Sequence, residues 1–374
     1  MQPNPARHGT RWRAPKYRSL ILHWLAQAFK RPARAGHAVA ALPAPGGGDV
    51  AITFGGHATV LCRFAAGAVA CDPMLGNWAG PARREVAPGL TSEALASARV
   101  ILISSPRAGH LHRKTLAAIC AHNHGDVTVA LPAGAASQIS GLGIKRVVEL
   151  LPGAGFAIGG LDITAVAAQP GLAFVIRGDG PSVLFCGRSG YFSGFAEIGE
   201  TFAPDIALLP IGGFSPPSFR RRHMSPADAL RAFSEVRARM MIPIRHGTFA
   251  LSYERIEAPA AWLADLVATR DLDTRVAMLG CGETRVFSLP GVAEAPGDVV
   301  AEAPSDVVAE APSDVEVSFD EPDAEVAATI DKNSDPPAAD DEDTRARPAV
   351  HRAATGSDIA TAARAAAERG STHH

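Results

Sequence analysis

ARVILISSPRAGHLHRKTL, residues 98–116, decides how the rest of the chain is read. Arg99 to Ser104 is a short apolar run, ended by serine, proline and glycine. That is the pattern of a buried strand leaving its sheet for a loop. A helical pattern then begins at His112. Strand, loop and helix in succession are the unit of a layered α/β sheet, and loops at such strand ends carry function. His110 and His112 stand in this loop, and imidazole is a metal-ligand type. No acidic residue accompanies them, and Arg107 stands where a ligand would be expected.

The same punctuation recurs over residues 46–290. Strand-like runs are VAITFGG, VLCRFAA, AVACDP, RVILIS, DVTVALP, RVVELL, LDITAVAA, LAFVIRG, SVLFCG, IALLPIG, MMIPIRHG, TRVAML and TRVFSLP. Helix-like stretches between them are SEALAS, HRKTLAAICAH, GAASQISGL, YFSGFAEIGETF, SPADALRAFSEVRARM and APAAWLADLVATR. Hairpins at the start and helices between later strands predict mixed α/β layers in one domain, 46–290.

Charge divides the 374 residues into three segments. Residues 1–45 are a basic arm: the first 36 hold eight Lys or Arg and no acid. Residues 291–374 are an acidic tail with an eight-residue repeat, GVAEAPGDVVAEAPSDVVAEAPSDVE. Proline in every unit and the lack of aromatics predict disorder. A short Ala-rich helix is expected near the end, capped by Ser357 and stopped by Gly370. The tail is read either as a solvating brush or as a partner for the basic arm. In the arm, Leu22, Leu25, Ala26 and Phe29 could share one helix face. Three readings stay open there: a peripheral membrane contact, a helix packed on the body, or a loose arm.

No stretch of about 20 apolar residues is present, so no spanning helix is expected. The five cysteines form no C-x-x-C pair, and reduced core thiols in a cytoplasmic protein are expected. No phosphate-loop or nucleic-acid motif occurs, so no nucleic-acid partner is expected; the basic arm alone is a weak signal.

ITFGGHATVL (52–61), CDPML (71–75), RVILISS…HL…KTL (99–116), GYFSGFAEIGETFAPDIALLPIGGF (190–214), HMSPADAL (223–230) and PIRHGTF (243–249) occur in this order. Together they resemble the metallo-β-lactamase superfamily, in the branch of N-acylphosphatidylethanolamine-hydrolysing phospholipase D and the ascorbate phosphate lactonases. The resemblance covers roughly 50–290 and implies a four-layer αββα sandwich. It also implies hydrolysis at a two-metal centre, where imidazoles and an aspartate hold the cations and a bridging water is activated.

The implied ligand positions carry other residues. The loop pattern His-x-His-x-Asp-His falls on Ser105, Arg107, Gly109 and His110. An Ala-Gln-His histidine corresponds to Pro170, the bridging aspartate to Arg188, and the last histidine to Arg245, with His246 following. Six of the seven have lost ligand chemistry, since guanidinium offers no lone pair. Asp72 matches the acid that supports the family's metal site and is free here to pair with an arginine. His57 and His223 match pocket positions.

Two readings follow. In the first, the protein is non-catalytic or catalytically altered and no cofactor is expected; Arg107, Arg188 and Arg245 either point to solvent from altered loops or converge on an anion pocket with Asp72, His57, His223 and His246 around it. Its ligand is a phosphoryl or carboxylate group, and RRRH (220–223) extends the positive field. In the second, a hydrolase of phosphoesters, phospholipids or lactones uses one zinc or manganese ion on His110, His112, His223 and His246. A Ser105–His110 pair lacks an evident orienting acid, and Cys186 beside Arg188 reads chiefly as core packing.

Overall fold

The computed structural model describes residues 45–289. The basic arm with its expected helix, and the acidic tail with its repeat and Ala-rich helix, lie outside the described residues. Among those described, no helix is long and apolar enough to cross a membrane.

β1 (Val50–Gly56), β2 (Thr59–Phe64) and β3 (Gly67–Cys71) form an antiparallel meander. β4 (Trp78–Ala79) and β5 (Ala82–Arg83) make a small separate hairpin. Helix α1 (Ser92–Ala96) leads to β6 (Val100–Leu102), and α2 (Arg113–Asn123) leads to β7 (Thr128–Pro132) and β8 (Arg146–Leu150). β3, β6, β7 and β8 run parallel.

β9 (Gly155–Ile158), β10 (Leu161–Ala167) and β11 (Leu172–Arg177) start a second sheet as antiparallel neighbours. β12 (Val183–Phe185) pairs antiparallel with β11. Then α3 (Gly194–Phe202), β13 (Ile206–Pro210), α4 (Pro226–Val236) and β14 (Met240–Ile244) follow, with β12, β13 and β14 parallel. After α5 (Ala258–Thr269), β15 (Thr284–Phe287) crosses back and pairs with β1. The sheet orders are β15-β1-β2-β3-β6-β7-β8 and β14-β13-β12-β11-β10-β9.

Burial explains the layers. Ile52, Leu102, Phe174, Phe185, Leu208 and Ile242 interlock between the two sheets. The outer face of the first sheet takes Leu95, Leu116 and Ile119 from α1 and α2. The outer face of the second takes Phe195, Phe233 and Leu263 from α3, α4 and α5. A strand covered on both faces is buried throughout and nearly all apolar, as β1 and β13 are. The result is the αββα sandwich expected from the sequence.

Three local expectations are corrected. TRVAML (274–279) makes a single bridge, Met241↔Val276, rather than a strand, because the chain turns away toward Gly280 and β15. GAASQISGL forms only a 3-10 turn, Ala136–Ile139. β9 was missed, although Gly159 and Gly160, both at positive φ, supply the two-residue turn that joins it to β10.

The carboxyl ends of β3, β6, β12, β13 and β14 deliver Asp72, Ser104, Arg188, Gly212 and Arg245 to one edge of the sandwich. A cavity of about 540 Å³ opens instead at the amino ends of β3, β6, β7 and β8. Its basic residues Arg99, Lys145 and Arg146 are exposed, and Lys145 is paired with Asp126 at 3.6 Å. The candidate site residues thus gather at the carboxyl edge, where open α/β sheets place their ligands.

Candidate functional site: a buried arginine and histidine cluster

Asp72 sits one residue past β3, fully buried, at φ 42°. Its Oδ1 accepts the Ser104 backbone N–H at 2.7 Å. Its Oδ2 accepts the Ser104 hydroxyl at 2.6 Å and lies 2.6 Å from His110 Nδ1. Gly187 permits this packing, because a Cβ there would collide with Asp72 Oδ2 and Ser104 Oγ. Burial pushes the Asp72 carboxyl up to about 8, against the pull of Ser104 and Arg245. Burial, then the charges of Arg245 and Arg188, hold His110 well below the usual histidine range. Its Nε2 is buried without a hydrogen-bond partner.

Arg245 follows β14 at φ 61°, and its N–H donates to His57 O at 2.6 Å. One terminal nitrogen donates to Gly212 O at 3.0 Å and to His223 Nδ1 at 2.6 Å. Guanidinium only donates, so His223 Nδ1 accepts and its hydrogen stands on Nε2. Arg245 Nε is buried and unpartnered. Burial and Arg188 bring Arg245 down to about 9, with Glu254 and Asp72 opposing. A void of about 10 Å³, room for roughly one water, lies beside it at Gly212, Gly213 and Glu254.

Arg188 is 8% exposed, and burial followed by Arg107 and Arg222 lowers it to about 10. Arg107 and Arg222 are exposed at the rim. No ion pair among the described residues includes Arg188 or Arg245. His57, at φ 55°, faces His110 at 5.5 Å between ring centres and Phe249 at 5.2 Å. Burial and Arg245 lower both His57 and His223. Thus Asp72, His57 and Arg245 all adopt left-handed backbone, a strain that clusters at functional sites.

A family profile described as a beta-lactamase superfamily domain matches residues 68–246. A metallo hydrolase from the archaeon Ignicoccus hospitalis superposes with a TM-score of 0.52 at 22% identity, covering 64% of this chain and 99% of that one. Residues 68–246 form a metallo-β-lactamase superfamily domain. A UPF0173 metal-dependent hydrolase of Methanoregula boonei is 38% identical over 127 residues, which are 33% of this chain and 52% of that protein. An uncharacterized protein of Mycobacterium tuberculosis is 28% identical over 236 residues, 57% of this chain and 61% of that protein. The chain thus spans about half to three-fifths of the length of these curated relatives.

Several expectations about this metallo-β-lactamase edge change. Asp72 pairs with His110 and Ser104, not with an arginine. Arg188 stands in the field of both Arg107 and Arg245, but Arg107 stays at the exposed rim, so only two of the three arginines are buried. His112 does not turn toward His110. It caps α2, where its Nδ1 accepts the Thr115 N–H at 3.2 Å, and its ring lies over Gly76. His246 stacks on Phe54 at 5.3 Å. The set His110, His112, His223, His246 is therefore split, and no three His, Cys, Asp or Glu among the described residues form a metal-holding group.

The serine near His110 is Ser104 rather than Ser105, and Asp72 is the acid that the sequence did not reveal. Both press on the Nδ1 edge, so this is not a nucleophile relay through Nε2. Cys186 packs in the outer core of the second sheet, with its thiol pushed up to about 12.

Two supports escaped the sequence reading. Glu254 accepts the N–H groups of Gly213 and Ser215, at 2.5 and 3.0 Å, and fixes the loop that carries Gly212. Arg84, buried, donates to Gly76 O at 2.8 Å and Met74 O at 2.5 Å and lies over Phe249. No motif marks either one; each is defined by loops far apart in sequence.

Proposed function

We propose that this chain is a metallo-β-lactamase-fold protein whose site holds a small anion in place of metal. The observation that carries this is the pair Arg188 and Arg245, both buried and neither ion-paired. Two buried cations left uncompensated are costly. A phosphoryl or carboxylate group supplies the missing charge, and guanidinium forks suit both. His223 Nε2–H adds a neutral donor. Exposed Arg107, Arg220, Arg221 and Arg222 give the rim a positive field that draws anions inward.

The donor set does not fit the family's two-metal centre. Arginine stands at three of its positions and proline at a fourth, and guanidinium has no lone pair to give a cation. His110, the one matching imidazole, spends Nδ1 on Asp72. The curated relative is named a metal-dependent hydrolase, and that activity is the competing reading for this chain. Within the family, the phosphoryl-handling branch of the phospholipases remains our preferred placement.

Elemental analysis of protein purified without chelators separates the two. The anion reading expects zinc, manganese and iron far below one ion per chain. Near-stoichiometric metal, lost in His110→Ala, would establish the hydrolase instead.

A further inference from the structure

His110 is the buried group that the arginine pocket alone leaves without a task. It is 2% exposed, and its Nε2 has no partner. The opposite edge of the ring is fixed. Ser104 N–H can only donate to Asp72 Oδ1, and the Ser104 hydroxyl reaches Oδ2. A carboxylate held by these donors takes the His110 Nδ1–H as a third. The neutral imidazole then shows a bare lone pair at Nε2.

That lone pair is an acceptor in a site otherwise built of donors: Arg188, Arg245 with its unpartnered Nε, and His223 Nε2–H. Arg245 and Arg188 are the charges that act on His110, so it shares their field. An anion with no hydrogen would set an oxygen lone pair against Nε2 and leave His110 unsatisfied. An oxyanion that keeps one O–H donates it to Nε2 and offers its other oxygens to the arginines.

We infer that the pocket selects a tetrahedral oxyanion that still carries a hydrogen, hydrogen phosphate, over sulfate, which has the same shape and charge and carries none. His110 Nε2 is the accepting atom. Asp72 is a positioning residue that sets the tautomer. The inference rests on the anion-pocket reading and names the ligand chemistry of that same site.

The test is calorimetric titration of the full chain with sodium phosphate and, separately, sodium sulfate. About pH 8.5 lies above the Asp72 value of about 8 and below the Arg245 value of about 9, and phosphate keeps one hydrogen there. Phosphate is expected to bind about tenfold or more tightly than sulfate, the scale of one hydrogen bond to a charged group. In His110→Ala both anions still bind and the ratio falls to about one. In Asp72→Asn the side-chain amide donates to Nδ1 and moves the imidazole hydrogen to Nε2. The phosphate preference then disappears, and nitrogen-15 spectra of His110 report the changed tautomer. Equal affinities in the unaltered chain, or an unchanged ratio in His110→Ala, overturn the inference while leaving the pocket. Binding of neither anion overturns both. The comparison in the unaltered chain decides even if a variant fails to fold.

Discussion

Arg245 reaches His223 through one terminal nitrogen, 2.6 Å from the ring Nδ1, while its Nε stays buried without a partner. The guanidinium is held in place but not neutralised. Glu254 helps from a distance, spending its own oxygens on the Gly213–Ser215 backbone. Such a group is a ready anion receptor and, without an anion, a source of instability.

Arg188→Met should therefore raise or preserve the thermal midpoint in anion-free buffer, because it removes a buried unpaired charge. Phosphate should stabilise the unaltered chain by about 2.7 kcal/mol at roughly a hundredfold excess over Kd. It should leave Arg188→Met unmoved. Thermal melts with and without phosphate check both parts.

Asp72→Ala strands three donors in the buried network: Ser104 N–H, the Ser104 hydroxyl and His110 Nδ1. Stability should fall by at least about 3 kcal/mol. Asp72→Asn, which keeps an oxygen for Ser104 N–H, should lose less. Urea unfolding at about pH 8.5, above the Asp72 value of about 8, measures the order.

His112→Ala removes a helix cap and nothing from the anion site. It should cost about 1 kcal/mol of stability and leave phosphate affinity unchanged. A loss of bound metal or of anion affinity in this variant would restore the histidine to the site.

Acid should destabilise the fold through a buried histidine. Burial lowers His246 to about 4, below its ordinary value in the unfolded chain. Its contribution is fully present above about pH 6.5 and is lost as pH falls toward about 4, where the unfolded state binds the extra proton. His246→Leu should reduce the slope of stability against pH in that window by about 1.4 kcal/mol per unit. Chemical denaturation across the window tests it.

The layers were legible because each strand of the sandwich is a short apolar run closed by glycine or proline, as VAITFGG and IALLPIG are. Registering the site required the family pattern, which located Arg188 and Arg245 in distant loops. The Asp72–His110 contact was not legible. The two residues are 38 apart, and their meeting depends on the left-handed turn at Asp72 and the missing side chain at Gly187. His112 misled for the opposite reason. A spacing of two suggests a shared face only in extended chain, and His112 ends the loop as the cap of α2.

The central claim is that arginines, not a cation, hold the ligand at this edge. Calorimetric titration of chelator-treated protein with phosphate tests it most directly. The account predicts binding below the millimolar range that survives chelation and is lost in Arg188→Ala. Absence of binding, or binding that vanishes on chelation and returns with added zinc or manganese, would contradict it.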